Sequence, residues 1–134
     1  MDARTGQVPA VHAPRPAWVW RSMAALGVLA SAAVHLVEWF GGYRDIPWVG
    51  GLFLLNSVAG LVLAVLLVTW RHWLPLVGAV GLGAATLLAF VASTTVGFLG
   101  VTSRFTGETV WIAATAEVLA VVAATAALLR EQSR

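Results

Sequence analysis

Four stretches of mostly apolar residues, parted by short breaks, take up nearly all of the 134-residue chain beyond position 21. A bilayer core of about 30 Å is crossed by about 20 such residues in helix. The stretches run from about Ser22 to Phe40, Val49 to Trp70, Leu74 to Leu99 and Thr109 to Leu129. Helix is the conformation they can take in lipid, because an open strand would leave backbone N–H and C=O groups unpaired. Turn-forming residues mark the breaks: Gly41-Gly42 and Pro47, then Arg71-His72 with Pro75, then Gly100 and Gly107. Connections this short set each helix antiparallel beside its predecessor. The expected fold is therefore an all-α membrane protein, an antiparallel up-down four-transmembrane-helix bundle. Residues 1–16, with Pro9, Pro14 and Pro16, read as a disordered tail preceding a transmembrane domain over 17–130.

Composition excludes most other readings. Hydrophobic residues make up 60% of the chain and charged residues 10%, against about 25% charged in soluble domains. A water-soluble monomer of this size lacks the charge to cover its surface. All eight basic residues are arginines, they are scattered, and the net charge is only +2, so no nucleic-acid footprint exists. The absence of cysteine removes disulfides, thiolate metal sites and thiol nucleophiles.

The arginines orient the bundle. One side carries Arg4, Arg15, Arg21, Arg71, Arg130 and Arg134, whereas the other carries Arg44 and Arg104. Both termini are expected in the cytoplasm, in a plasma (inner) membrane. Trp18, Trp20, Trp70 and Trp73 then form the inner aromatic belt; Trp39, Tyr43, Trp48 and Trp111 form the outer one. Ala30-Ser31-Ala32 matches a signal-peptidase pattern, but the long n-region and the apolar continuation past Ala32 argue against cleavage.

Polar groups inside a membrane are expensive, and an acidic residue at mid-span costs about 3 kcal/mol on insertion scales. At about 1.5 Å per residue, His35, Asn56, Ser93 and Glu117 all fall roughly 7–12 Å below the outer surface. Glu38 and His35 share a face at i,i+3, and Thr94 and Thr95 follow Ser93. Each polar residue has small neighbours one turn away: Ser31 and Ala32, Ala59 and Gly60, Ala89 and Gly97, Ala113 and Ala120. Small residues mark helix contact faces in lipid. His35, Glu38, Asn56, Ser93, Thr94 and Glu117 are thus expected around one interior pocket in the extracytoplasmic half, with Tyr43, Arg44, Asp45 and Arg104 as its rim. The plainer alternatives are interhelical hydrogen bonds for Asn56 and Ser93–Thr95, and a tight anchored loop for 41–48. Glu117 is too deep for solvation and needs a partner, His35 or Arg104, or stays protonated. Gly78, Gly81 and Gly83 read as packing residues.

The run His35-Leu36, Trp39, Gly42-Tyr43-Arg44-Asp45-Ile46-Pro47, Leu52-Phe53-Leu54-Leu55-Asn56 and Val58-Ala59-Gly60 resembles a group of small four-span integral membrane proteins of actinobacteria. The likeness is specific over about residues 32–64, and the arginine- and alanine-rich composition suits such a genome. It implies a four-span inner-membrane protein and supplies no activity.

No enzyme motif is present: neither HExxH, nor a nucleophile elbow, nor a phosphate-binding glycine loop. A non-enzymatic accessory or ligand-binding subunit is the leading expectation, embedded in the lipid bilayer. Its Gly60–Ala64 and Ala116/Ala120/Ala124 faces would serve a homodimer or a larger membrane complex. The alternative is a redox or proton-handling protein holding a quinone, metal or haem through His35 and Glu117. A zinc or copper ion would draw on His35, Glu38 and Glu117. A bis-histidine haem would need a second chain, since His12 and His72 lie far from His35. A dimeric transporter is a third expectation, without an inverted repeat to support it. No cofactor is assigned from sequence.

Overall fold

The computed structural model describes residues 16–102 and 107–133. It contains four long helices: α1 Trp18–Phe40, α2 Val49–Thr69, α3 Leu74–Thr95 and α4 Glu108–Gln132. A 3-10 turn over Tyr43–Asp45 sits between α1 and α2. All four helices are long and apolar enough to cross a membrane, and their outward faces carry exposed Leu, Val, Ile and Trp side chains. Such a surface is stable against acyl chains and would aggregate in water. The protein is an all-α four-helix bundle with a multi-pass membrane architecture. The tail, apart from Pro16, and Arg104 lie outside the described residues.

Glycine and proline set the end of α1 and both ends of α3. Beyond α1, Gly42 adopts a φ of 131° that starts the 3-10 turn. Pro75 occupies the first turn of α3, where its missing N–H would have had no partner in any case. α3 stops at Thr95, short of the expected Leu99, because Gly97 takes a φ of 83°. Phe98 and Val101 then exchange two backbone hydrogen bonds in a tight turn.

α1 packs closely on both α2 and α4, and α4 on α3, whereas the α2–α3 seam is thin. Glycine decides how near the backbones come. A Cβ on Gly27 would lie 2.7 Å from Ala116 O and Ala120 N of α4, and one on Gly60 would lie 2.8 Å from Val28 O of α1. Gly83 lets α3 approach Val121 and Glu117 of α4, and Gly78 meets Leu63. Gly81 meets nothing within 4 Å, so it is not the packing residue expected from its spacing. Gly60, Ala64, Ala116, Ala120 and Ala124 are all buried inside the bundle. The small-residue faces expected to be left for a partner are therefore occupied within one chain.

The interior is divided along its length. Toward the termini it is a dry core of Ala24, Ala25, Val28, Leu67, Leu76, Ala79, Ala123, Ala124 and Ala127. Toward the 41–48 loop it holds the polar side chains and the cavities described below. The terminal end is closed by an ion pair. α1 begins a turn earlier than the apolar pattern indicates, which draws Arg21 wholly into the protein. Its Nε and Nη2 donate to Glu131 Oε1 and Oε2 at 2.7 and 2.8 Å, and its Nη1 and Nη2 donate to Trp70 O and His72 O at 3.1 and 2.9 Å. Glu131 Oε1 also accepts the Ala17 N–H at 2.9 Å, one of the donors a helix start leaves unmatched.

Candidate functional site

Glu117 is deep in α4 with 3% of its surface exposed, and His35 faces it from α1 with 9% exposed. His35 Nε2 stands 4.0 Å from Glu117 Oε1, too far for a direct hydrogen bond. Ser31, one turn earlier on α1, organises the pair. Its carbonyl accepts from His35 Nδ1 at 2.8 Å, and its hydroxyl donates to Glu117 Oε1 at 3.2 Å. Because a carbonyl can only accept, Nδ1 carries a proton. In the neutral ring, Nε2 is then left with its lone pair toward Glu117. The Phe53 ring, 4.9 Å away centre to centre, packs against the imidazole.

This pair forms part of the wall of a chamber of about 350 Å³ between α1, α4 and the loop end. Glu38 and Tyr43 line it together with Phe90, Ala113 and Ala114. Tyr43 is held by stacking on Phe53, with centroids 4.6 Å apart and planes at 10°. A second cavity, of about 360 Å³, lies between α2 and α3 and shares His35, Tyr43, Phe53 and Phe90 with the first. Asn56 and Ser93 line this one. Asn56 Nδ2 donates to Thr86 Oγ1 at 2.8 Å. Ser93 Oγ donates to Phe90 O at 2.8 Å.

The six residues expected around one pocket are thus distributed. His35, Glu38 and Glu117 meet in the first chamber, Asn56 and Ser93 in the second, and His35 borders both. Thr94 is among the lining residues of neither; its hydroxyl bonds back to Phe90 O and Val91 O. Ser93 to Thr95 form the last turn of α3 itself, because that helix ends early. Of the expected rim, Tyr43 lines both cavities, while Arg44 and Asp45 are exposed and pair with each other at 3.7 Å. Two hydrogen-bonding neighbours of these residues, Ser31 and Thr86, are not evident from sequence. Ser31 reads from sequence as a small residue beside His35 and as part of the Ala30-Ser31-Ala32 pattern, not as a hydrogen-bonding group, and Thr86 carries no expectation. Thr86 is the one polar side chain in α3 before Ser93, which was the available signal.

Among the described residues, no three His, Cys, Asp or Glu side chains cluster closely enough to hold a metal ion. His35, Glu38 and Glu117 therefore do not form the three-ligand zinc or copper set considered above. His72 lies at the opposite end, stacked on Trp70, so among the described residues no second histidine stands near His35 for a haem site within one chain. The chain matches no protein-family model, no curated protein and no solved structure.

Proposed function

We infer that this chain is a small, non-enzymatic ligand-binding protein of the plasma membrane, with both termini cytoplasmic and its site in the extracytoplasmic half. One observation carries the reading: an imidazole and a carboxyl face each other across 4.0 Å on the wall of a chamber. Such a gap suits a ligand that carries both a donor and an acceptor, with His35 Nε2 accepting and Glu117 Oε1 as its opposite contact. Phe53, Phe90 and Tyr43 supply apolar walls, in keeping with small-molecule sites in general. The arginine asymmetry supports the orientation. The ligand-bound protein would act as an accessory subunit of a larger membrane complex.

A second reading, proton handling, is favoured by the fixed tautomer. With Nδ1 held by Ser31 O, a proton arriving from the chamber adds at Nε2 and is passed to or from Glu117. Redox chemistry in this reading would come from a quinone in the chamber.

An absorbance spectrum with elemental analysis of the detergent-purified protein separates the two. A quinone signal lost in His35→Ala and Glu117→Gln supports the proton-handling reading. A colourless, metal-free protein whose chamber takes up a small donor–acceptor ligand, and loses it in those variants, supports the first. Variants that alter only thermal stability refute both.

A further inference from the structure

The open polar atoms of the His35–Glu117 pair are acceptors. Ser31 engages His35 Nδ1 and Glu117 Oε1, which leaves His35 Nε2 and Glu117 Oε2 without a hydrogen-bond partner. Among the described residues, Asn56 Oδ1 is the one side-chain nitrogen or oxygen that is both unpartnered and sealed. Nε2 and Oε2 are therefore not sealed, and each keeps surface that a water-sized molecule can touch. Glu117, only 3% exposed overall, borders the chamber and not the α2–α3 cavity, so its open oxygen faces the chamber. His35 Nε2 stands beside that carboxyl group, 4.0 Å from Oε1.

The chamber wall is also out of charge balance. Glu38 and Glu117 share it with one imidazole and, among the described residues, no arginine. A proton on His35 balances one carboxylate and leaves the other. The described arginines are engaged elsewhere: Arg21 with Glu131, Arg44 with Asp45, and Arg71 and Arg130 over the Trp18 and Trp20 rings at the terminal end. By sequence, the loop end as a whole carries Glu38, Asp45, Glu108 and Glu117 against Arg44 and Arg104. An unbalanced carboxylate at membrane depth is costly, and a cation placed beside it offsets that cost. A metal ion is a poor occupant, because no three ligands cluster among the described residues. The aromatic walls of Tyr43, Phe53 and Phe90 suit an organic cation instead, since ring faces attract positive charge.

We propose that the chamber takes a small organic cation, a protonated amine on an apolar body, whose N–H groups donate to the Glu117 carboxylate and to His35 Nε2. An ammonium nitrogen about 2.9 Å from each acceptor spans their 4.0 Å separation. The apolar body lies against Phe53 and Phe90, and Glu38 on the same wall adds a longer-range attraction. The chamber volume of about 350 Å³ lies at the low end for small-molecule sites, which suits a compact amine. Hydroxyls on the same wall, those of Tyr43 and Thr109, can donate to an acceptor elsewhere on the ligand. This inference rests on the ligand-binding reading above and narrows the ligand's donor to a cationic N–H.

The test is equilibrium dialysis of 2-phenylethylamine and of 2-phenylethanol, its neutral counterpart of nearly equal shape. Each is dialysed against the full-length protein in phosphatidylcholine nanodiscs, with uptake by empty nanodiscs subtracted. The amine is expected to bind about tenfold more tightly, the ratio by which a hydrogen bond to an ionised group exceeds one between neutral groups. Glu117→Gln keeps the shape and an acceptor for Ser31, and it should bring the ratio close to one by weakening the amine. Ala114→Phe fills the chamber from α4 and keeps both polar residues, and it should abolish amine binding. Equal binding of amine and alcohol by the wild type, or a tenfold preference that survives Glu117→Gln, overturns the cation and leaves the ligand-binding reading standing. Amine binding that survives Ala114→Phe puts the amine outside the chamber and overturns the proposal. A wild-type protein that binds neither probe overturns it too, and counts against the ligand-binding reading as well.

Discussion

Replacing Glu131 by leucine tests how the terminal end of the bundle is held. In the intact protein the Arg21 guanidinium is fully enclosed and directs four hydrogen bonds to Glu131, Trp70 O and His72 O. The carboxylate contributes two of them in a forked geometry, the strongest arrangement open to this pair. Glu131→Leu leaves the cation buried with only two carbonyl dipoles and also frees the Ala17 N–H. Breaking a buried pair from one side costs about 3–5 kcal/mol. Glu131 keeps 15% exposure, which admits some water to the stranded guanidinium, so the low end, about 3 kcal/mol, is expected. Arg21→Leu should cost less, since Glu131 can turn outward to solvent. The double variant should recover part of the loss, because leucines of similar length fill the space without stranding a charge. Reversible unfolding in mixed micelles with increasing dodecyl sulfate, followed by tryptophan fluorescence, measures all three. A Glu131→Leu protein within about 0.5 kcal/mol of wild type, the range of an ordinary surface change, would refute the reasoning. Strict additivity of the two single changes would refute it as well.

Other expectations follow from the same geometry. Gly27→Ala should destabilise the bundle by about 1–3 kcal/mol, since its Cβ would meet α4 backbone atoms at 2.7 Å; the micelle titration reads this directly. Gly81→Ala, whose Cβ meets nothing, should be neutral or stabilising by up to about 1 kcal/mol through helix propensity, and a clear loss would show that this face is covered. Ser31→Ala removes the hydroxyl that reaches Glu117 and should cost about 1 kcal/mol while keeping the carbonyl that fixes His35. Ligand uptake in the first chamber should weaken in Ser31→Ala but persist, whereas His35→Ala should abolish it; equal loss in both would show that the hydroxyl, not the imidazole, is the contact.

The spans were legible because hydrophobic length is a direct physical requirement of the bilayer, and glycine and proline marked three of the helix ends. What sequence could not give was pairing between distant ends. Arg21 and Glu131 are 110 positions apart, and each looks like an ordinary charge flanking a span. The apolar Trp18-Val19-Trp20 ahead of Arg21 was the local sign that the helix begins before the arginine. Depth placed His35, Asn56, Ser93 and Glu117 in one layer of the bundle. Depth says nothing of azimuth, and the structure divides them between an α1–α4 chamber and an α2–α3 cavity. Small neighbours on a helix likewise show that a face is in close contact, without showing with what. The Gly60–Ala64 and Ala116–Ala124 faces meet α1 and the bundle core rather than another chain.

We propose that the chamber bordered by the His35–Glu117 pair opens at the 41–48 end, on the outer side of the membrane. The chain has no cysteine, so a single introduced thiol reports its position without background. Ala114→Cys would place a thiol on the chamber wall, and Ala123→Cys would place one in the dry core. Treated on intact cells with a membrane-impermeant thiosulfonate, Ala114→Cys is expected to react and Ala123→Cys to stay unmodified. An Ala114→Cys protein that reacts only after the membrane is opened, or not at all, would contradict the account.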